Sequence, residues 1–361
     1  MWANLAAARA AVRIETYVWK PGAVADRFLQ ELHAAAARGV RVELLIDAFG
    51  SAGLPASYFS ALQSAGARLV WFNTRRLFRR SFRNHRKLMT VDGEIAVIGG
   101  LNIADEYDGD GIARGWRDFA VELRGTSVAA LDTSMDHMFE LADFGPGTLR
   151  RFARHFRQRR WRHRPQQATT SPDILLGGPG TRSVRMQQAL RTDLAGARDV
   201  VLYAAYLVPT SRMRRAIRAV ARRGRVRLVT GARSDVEMVR WAAQYLYPFW
   251  LRGGVQLYEY LPQVVHAKLI VIDDVVYVGS ANLDIRSLRI NYELLLRIPS
   301  AALARQVRAV FNDDLGRSQR IDYASWRGQR RWWHGLRSLW AFALLVRLDP
   351  YLAKRGLRGL S

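Results

Sequence analysis

An eight-residue pattern, H-x-K-x-x-x-x-D, occurs twice in this chain. His85, Lys87 and Asp92 form the first copy, in NHRKLMTVD, and His266, Lys268 and Asp273 form the second, in VHAKLIVID. Each copy runs on into a small-residue pair and an asparagine: Gly99, Gly100 and Asn102 after the first, Gly279, Ser280 and Asn282 after the second. A single copy with three fixed positions is a weak signal. Two copies with matching tails, one in each half, imply a duplicated unit whose single site is assembled from two equivalent parts. The 181-residue spacing from His85 to His266 excludes a short-period solenoid.

The repeat extends beyond the motif. Residues 13–47 read strand (RIETYVW), helix (ADRFLQELHAAAARG), strand (VRVELLID); residues 200–230 read strand (VVLYAAYLV), helix (SRMRRAIRAVARRG), strand (RVRLVT). Both helices end at Arg-Gly, which predicts Gly39 and Gly224 as the residues that close them. Each motif lies on a predicted hairpin, turning at Asp92-Gly93 and at Asp273-Asp274. Alternation along a strand puts His85 and Lys87 on one face, and likewise His266 and Lys268. The expected fold is therefore a duplicated α/β domain.

With 361 residues, 49% of them hydrophobic, the chain has material for two packed cores. It has no cysteine, which excludes disulfides, thiolate metal sites and a cysteine nucleophile. The net charge of +25 predicts a polyanionic partner, nucleic acid or an anionic membrane surface. Of its 56 basic residues only Lys20, Lys87, Lys268 and Lys354 are lysine, and two of these hold the equivalent motif position. Those positions call for a compact ammonium rather than a planar fork. No stretch reaches the ~18–20 apolar residues of a membrane span, and the N-terminus lacks a basic n-region, so it reads as a helix entering a strand rather than a signal peptide.

Two histidines, two lysines and two asparagines suit displacement at a phosphodiester without a metal or other cofactor. One neutral imidazole attacks phosphorus; the other, as imidazolium, protonates the leaving hydroxyl and then acts as base toward the acceptor. Lys87, Lys268, Asn102 and Asn282 can hold the non-bridging oxygens as charge builds. The motif places an ammonium where a metal cation would sit, so no metal is expected. Asp92 and Asp273 complete the motif, and their turn positions suit holding the hairpins better than chemistry. His33, His137, His155, His163 and His334 have no repeated context and read as non-catalytic.

These motifs resemble the phospholipase D superfamily, and within it the bacterial cardiolipin synthases. The resemblance runs through IETYVW, RGVRVELLIDAFGS (38–51), NHRKLMTVDGEIAVIGGLNIADEY (84–107), GWRDFAVELRG (115–125), VHAKLIVIDDVVYVGSANLDIRS (265–287) and NYELLL (291–296). The tail, RRWWHGLRSLWAFALL, is similar to that of the cardiolipin synthase B subgroup. The family pattern also carries a strand and lead-in ahead of the helix in which Met1 falls. The resemblance implies two mixed β-sheets flanked by helices around a pseudo-two-fold site. It implies a reaction joining two phosphatidylglycerols into cardiolipin and glycerol through a phosphatidyl-histidine. Carried over by position, His85 is the nucleophile and His266 the acid/base. Glu293 of NYE and Asp118 of WRD are the acids that orient them, Glu293 on His85 and Asp118 on His266.

Three segments are expected: an N-terminal half (1–165), a C-terminal half (172–325) and a basic aromatic tail (326–361). The tail carries a helical stripe of Leu336, Leu339, Trp340 and Ala343, with Arg337 and Arg347 off it, and reads as an interfacial helix. Arg75, Arg76, Arg79, Arg80 and Arg83 read as a loop drawing anionic headgroups to the site. The basic stretch 150–164 precedes a linker-like segment. The expected partner is an anionic phosphatidylglycerol membrane surface, reached peripherally from the cytoplasmic side of a bacterial inner membrane, with no obligatory protein partner. Rival readings are phospholipase D hydrolysis, phosphatidyl transfer to another alcohol, a nuclease acting on DNA, which is the less favoured partner, and a non-catalytic membrane-binding protein.

Overall fold

The computed structural model describes residues 1–73, 82–143, 172–179, 182–328 and 332–348. Arg75, Arg76, Arg79 and Arg80, and the basic stretch 150–164, lie outside the described residues.

Two mixed sheets repeat one topology. The first contains β1 (Ala11–Thr16), β2 (Arg41–Asp47), β3 (Arg68–Phe72), β4 (Leu88–Val91), β5 (Ile95–Gly99) and β6 (Ala120–Arg124), in the order β3-β2-β1-β4-β5-β6. The second contains β7 (Asp173–Gly177), β8 (Asp199–Ala204), β10 (Arg225–Gly231), β11 (Gln256–Tyr260), β12 (Lys268–Ile272), β13 (Val275–Gly279), β15 (Glu293–Pro299) and β16 (Ser318–Arg320). Its order is β16-β11-β10-β8-β12-β13-β15-β7. Removing the edge strands β16 and β7 leaves the order of the first sheet. In each sheet three strands are parallel and linked through helices, and the motif hairpin runs antiparallel to the central one. A short parallel pair, β9 (Leu207–Val208) with β14 (Leu283–Asp284), completes the strands.

The periodicity of the sequence explains the layers. In the helix Ala23–Ala37 the buried residues Ala25, Phe28, Leu32 and Ala35 recur on one face and cover the first sheet. In the helix Ser211–Arg223, Met213, Ile217 and Val220 do the same for the second. One apolar core joins the halves: Leu45, Phe72, Leu88 and Ile98 of the first sheet pack with Tyr203, Val229, Leu269 and Leu294 of the second. The stretch Trp241–Trp250 is largely core, with Tyr247 and Trp250 fully buried.

Several local expectations are refined. Gly39 closes its helix in the left-handed region at φ +84°, but Gly224 has φ −160°. It is needed for close approach instead, since a Cβ there would meet the Arg198 carbonyl oxygen at 2.0 Å. Val91 pairs with Ile95, so the first hairpin turns through Asp92, Gly93 and Glu94, while the second uses Asp273 and Asp274 alone. That extra residue is why the tails are offset by one. β1 stops at Thr16 rather than running to Trp19.

Candidate active site

The two motifs meet where the halves face one another. Each histidine is anchored by backbone pairing across that join. The His85 N–H donates to the Tyr292 carbonyl at 3.0 Å, and the His266 N–H donates to the Arg117 carbonyl at 2.9 Å. Tyr292 and Arg117 each immediately precede an acid. That acid then reaches the imidazole: Glu293 Oε1 and Oε2 both lie 3.1 Å from Nδ1 of His85, and Asp118 Oδ2 lies 2.7 Å from Nδ1 of His266. All four side chains are buried.

The small-residue pairs fit the acids. Ser280 Oγ donates to Glu293 Oε2 at 2.5 Å and accepts from Leu294 N at 3.0 Å. At the equivalent Gly100, a Cβ would stand 2.3 Å from both carboxylate oxygens of Asp118. The hydroxyl braces one carboxylate, and the missing side chain makes room for the other.

Lys87 donates from Nζ to the His85 carbonyl at 2.7 Å, and Lys268 donates likewise to the His266 carbonyl. Lys268 Nζ also lies 2.7 Å from Nδ1 of His266. Two buried ammonium groups therefore converge on the two imidazoles. Burial first, then the neighbouring lysines, hold His85 well below the ordinary histidine range. His266 is also lowered, by burial and Lys268, with Asp118 opposing. Burial and Lys268 bring Lys87 down to about 7, and burial lowers Lys268. Burial pushes Glu293 up to about 8 against the pull of Lys87 and Ser280. These shifts favour a neutral His85 in the free site, and a bound phosphodiester anion would favour the protonated forms of Lys87, Lys268 and His266.

Asn102 and Asn282 are buried beside the motifs. Asn102 accepts from Val18 N at 3.1 Å and donates to Tyr107 Oη at 2.6 Å. The Oδ1 of Asn282 is buried without a hydrogen-bond partner among the described residues, and Asn282 shares a small cavity with Lys268, Leu190 and Ile270. Asp92 and Asp273 stand away from the imidazoles at the hairpin turns. Asp92 accepts from Arg9, Ala10 and Ala11 N–H groups, and Asp273 from those of Arg198 and Asp199. Although burial opposes it, this backbone cradle lowers the Asp92 carboxyl. Their position at the turns accounts for the grouping with the motif in sequence but not in the site.

Further residues complete the site. Tyr17 packs edge-on to His85 at 4.9 Å with Lys87 Nζ 5.2 Å from its ring, and its hydroxyl accepts from Arg83 at 3.1 Å. Tyr107 and Trp116 flank His266 at 5.3 and 5.4 Å. Beneath His85, Asn84 donates to Glu15 at 2.7 Å and Arg86 pairs with Glu15 at 3.1 Å, all fully or nearly fully buried. The second copy has Val265 and Ala267 in those places. Sequence reasoning passed over Tyr17, Tyr107, Trp116, Glu15 and Asn84, although all lie inside or beside the motif segments. Among the described residues no group of three His, Asp or Glu side chains is arranged to hold a metal ion.

A family model described as "Cardiolipin synthase, PLD-like domain" matches residues 1–107 and 190–315. The chain is 32% identical to cardiolipin synthase B of Escherichia coli (strain K12) over 344 residues, 92% of this chain and 81% of that one. It is 32% identical to cardiolipin synthase A of Pseudomonas putida (strain GB-1) over 343 residues, 89% and 67% of the two chains. Among solved structures, a phosphatidylserine synthase of Haemophilus influenzae Rd KW20 superposes with a TM-score of 0.70 over 98% of this chain and 91% of that chain, at 14% identity. That last likeness concerns the fold alone.

Proposed function

The chain belongs to the phospholipase D-like cardiolipin synthase family, and from that premise we propose that it transfers a phosphatidyl group from one phosphatidylglycerol to the free primary hydroxyl of another, giving cardiolipin and glycerol. The observation that carries this reading is the reciprocal pairing: each motif histidine takes its acid from the opposite half.

Nδ1 of His85 faces Glu293, which leaves Nε2 for attack. A bond forms from that nitrogen to phosphorus, and the bond from phosphorus to the glycerol oxygen breaks. His266 as imidazolium gives its proton to the departing glycerol. The second lipid's hydroxyl then loses its proton to His266 and attacks phosphorus, and the phosphorus–nitrogen bond breaks. Lys87 and Lys268 stabilise the charge on the non-bridging oxygens, a contribution worth about 10²–10³ in rate per donor. Asn282, beside Lys268 in the same cavity, is assigned to the same phosphate through its side-chain N–H, which would donate to a non-bridging oxygen. Asp118 keeps His266 in the tautomer that needs its Nε2 for proton transfer.

The substrate lies in a membrane, so peripheral attachment to the cytoplasmic membrane surface is part of the proposal. Among the described residues no helix is long and apolar enough to cross a membrane. The test is incubation with phosphatidylglycerol vesicles in EDTA, with products resolved by mass spectrometry and His85→Ala and His266→Ala alongside. Cardiolipin with free glycerol, absent from both variants, supports the proposal. Phosphatidic acid in its place makes the protein a hydrolase, and cleaved DNA with no lipid product makes it a nuclease.

A further inference from the structure

The helix Trp332–Ala343 is built inside out. Its inner side packs on the helix Glu237–Tyr245 with Ser338 and Ala341 fully buried. Arg337 lies 4.3 Å from the Trp241 ring and Phe342 lies 4.7 Å from Tyr245. Its outer side carries Trp332, Leu336 and Trp340, which are 74%, 56% and 57% exposed, with Leu339 beside them. Spacings of four and eight residues put these on one stripe. A helix of a soluble protein normally turns that stripe toward the core. Contiguous exposed apolar surface of this kind marks an interaction site.

Charge identifies the partner. The helix Trp332–Ala343 carries Arg337 and no acid. The adjacent helix Ser211–Arg223 contains six arginines and no acid, and its Arg214 lies 5.6 Å from the ring of Phe342. A second copy of the chain on this face would bring two uncompensated basic banks together. An anionic lipid surface offers both the apolar layer for the tryptophans and leucines and the negative charge for the arginines. The face also adjoins the site: Ala341 and Ala242 share an apolar cluster with Val208. Val208 pairs with Asp284, two residues past Asn282.

We propose that the outer face of Trp332–Ala343 seats in the interfacial layer of an anionic phospholipid bilayer, with the arginines of Ser211–Arg223 against its headgroups. This rests on the lipid-transfer reading and assigns the surface through which the enzyme meets its substrate.

The chain has no cysteine, so Leu336→Cys accepts one environment-sensitive fluorophore, with the exposed hairpin position Glu94→Cys as control. Vesicles mixing phosphatidylglycerol with phosphatidylcholine should blue-shift the label at 336, pure phosphatidylcholine should do so far less, and the label at 94 should stay unchanged. The triple variant Trp332→Ser, Leu336→Ser, Trp340→Ser should lose vesicle partitioning at least tenfold while keeping its circular dichroism and its turnover of a monomeric short-chain phosphatidylglycerol. Vesicle binding with a silent label at 336, or a triple variant that binds like the parent, overturns the proposal. So does a label that shifts with protein concentration in the absence of lipid, which makes the face a contact between copies. Vesicle binding as described with no lipid turnover refutes the transfer reading and leaves the docking surface standing.

Discussion

Glu293 belongs to the second sheet, yet both of its carboxylate oxygens lie 3.1 Å from Nδ1 of His85 in the first half. The contact is set by backbone, because Tyr292 is bridged to Asn84, one residue before His85. The mirror relation holds for Asp118, which follows Arg117, bridged to Val265. Neither half contains a finished histidine–acid pair, so the halves must dock before the site exists.

Replacing either acid by its amide should therefore damage the rate more than substrate capture. Asp118→Asn and Glu293→Gln are expected to lower kcat by about 10²–10⁴-fold with little change in vesicle binding, as for an orienting carboxylate. Steady-state kinetics beside vesicle sedimentation would show this. An unchanged kcat in Asp118→Asn would remove that residue from the site.

The depressed basic groups give the pH profile its sign. Burial brings Lys87 down to about 7 in the free enzyme and lowers His266 as well, so kcat/KM should fall as pH rises toward that value and the ammonium and imidazolium are lost. A bound phosphodiester anion favours the charged lysine, so the alkaline limb of kcat should lie higher than that of kcat/KM. His85 is held well below its ordinary value, so the acid limb should lie below about 6.5. Coincident alkaline limbs in kcat and kcat/KM would contradict the assignment of Lys87 to the phosphate.

Gly100 and Ser280 should fail in different ways. Gly100→Ala pushes a methyl into the Asp118 carboxylate and is expected to cost about 10²-fold in kcat, the scale of an ångström-sized misplacement. Ser280→Ala removes one hydrogen bond from Glu293 and is expected to cost about tenfold, the scale of a single hydrogen bond. Equal losses in the two variants would mean that space around Asp118 is not the constraint.

Glu15 is a matter of stability. Glu15→Ala leaves the Arg86 guanidinium buried beside an empty place, which should cost about 3–5 kcal/mol in urea unfolding. The double substitution Glu15→Val with Arg86→Ala, the latter copying Ala267 of the second half, should recover much of that loss. A double variant no more stable than Glu15→Ala would show that the polar network has no apolar substitute.

Much of this architecture was legible because it repeats. The twin motifs located both hairpins, and the strand–helix–strand runs before them marked β1, β2, β8 and β10 with the helices between them. His85, Lys87, His266 and Lys268 converge because each pair stands at the start of the equivalent interior strand, β4 or β12. What periodicity could not supply was pairing between halves, since the bridge from Asn84 to Tyr292 spans most of the chain. Gly224 misled because Arg-Gly after a helix signals a left-handed closure, whereas here the glycine is demanded by the Arg198 carbonyl. The stripe of Leu336, Leu339 and Trp340 was plain in sequence, but amphipathicity alone does not say which side faces the protein. Tyr107 and Trp116 carried no repeat to mark them, because among the described residues two such rings flank His266 whereas Tyr17 packs on His85.

The most direct test of the two-histidine account uses a phosphatidyl ester with p-nitrophenol as the leaving group, which departs without a proton donor. Mixed rapidly with His266→Ala, it should release one equivalent of nitrophenol in a burst and leave the phosphatidyl group on His85, found by mass spectrometry after an alkaline quench. His85→Ala should give no burst and no adduct. An adduct on His266 in the parent protein, or full turnover by His85→Ala, would contradict the assignment of His85 as the nucleophile.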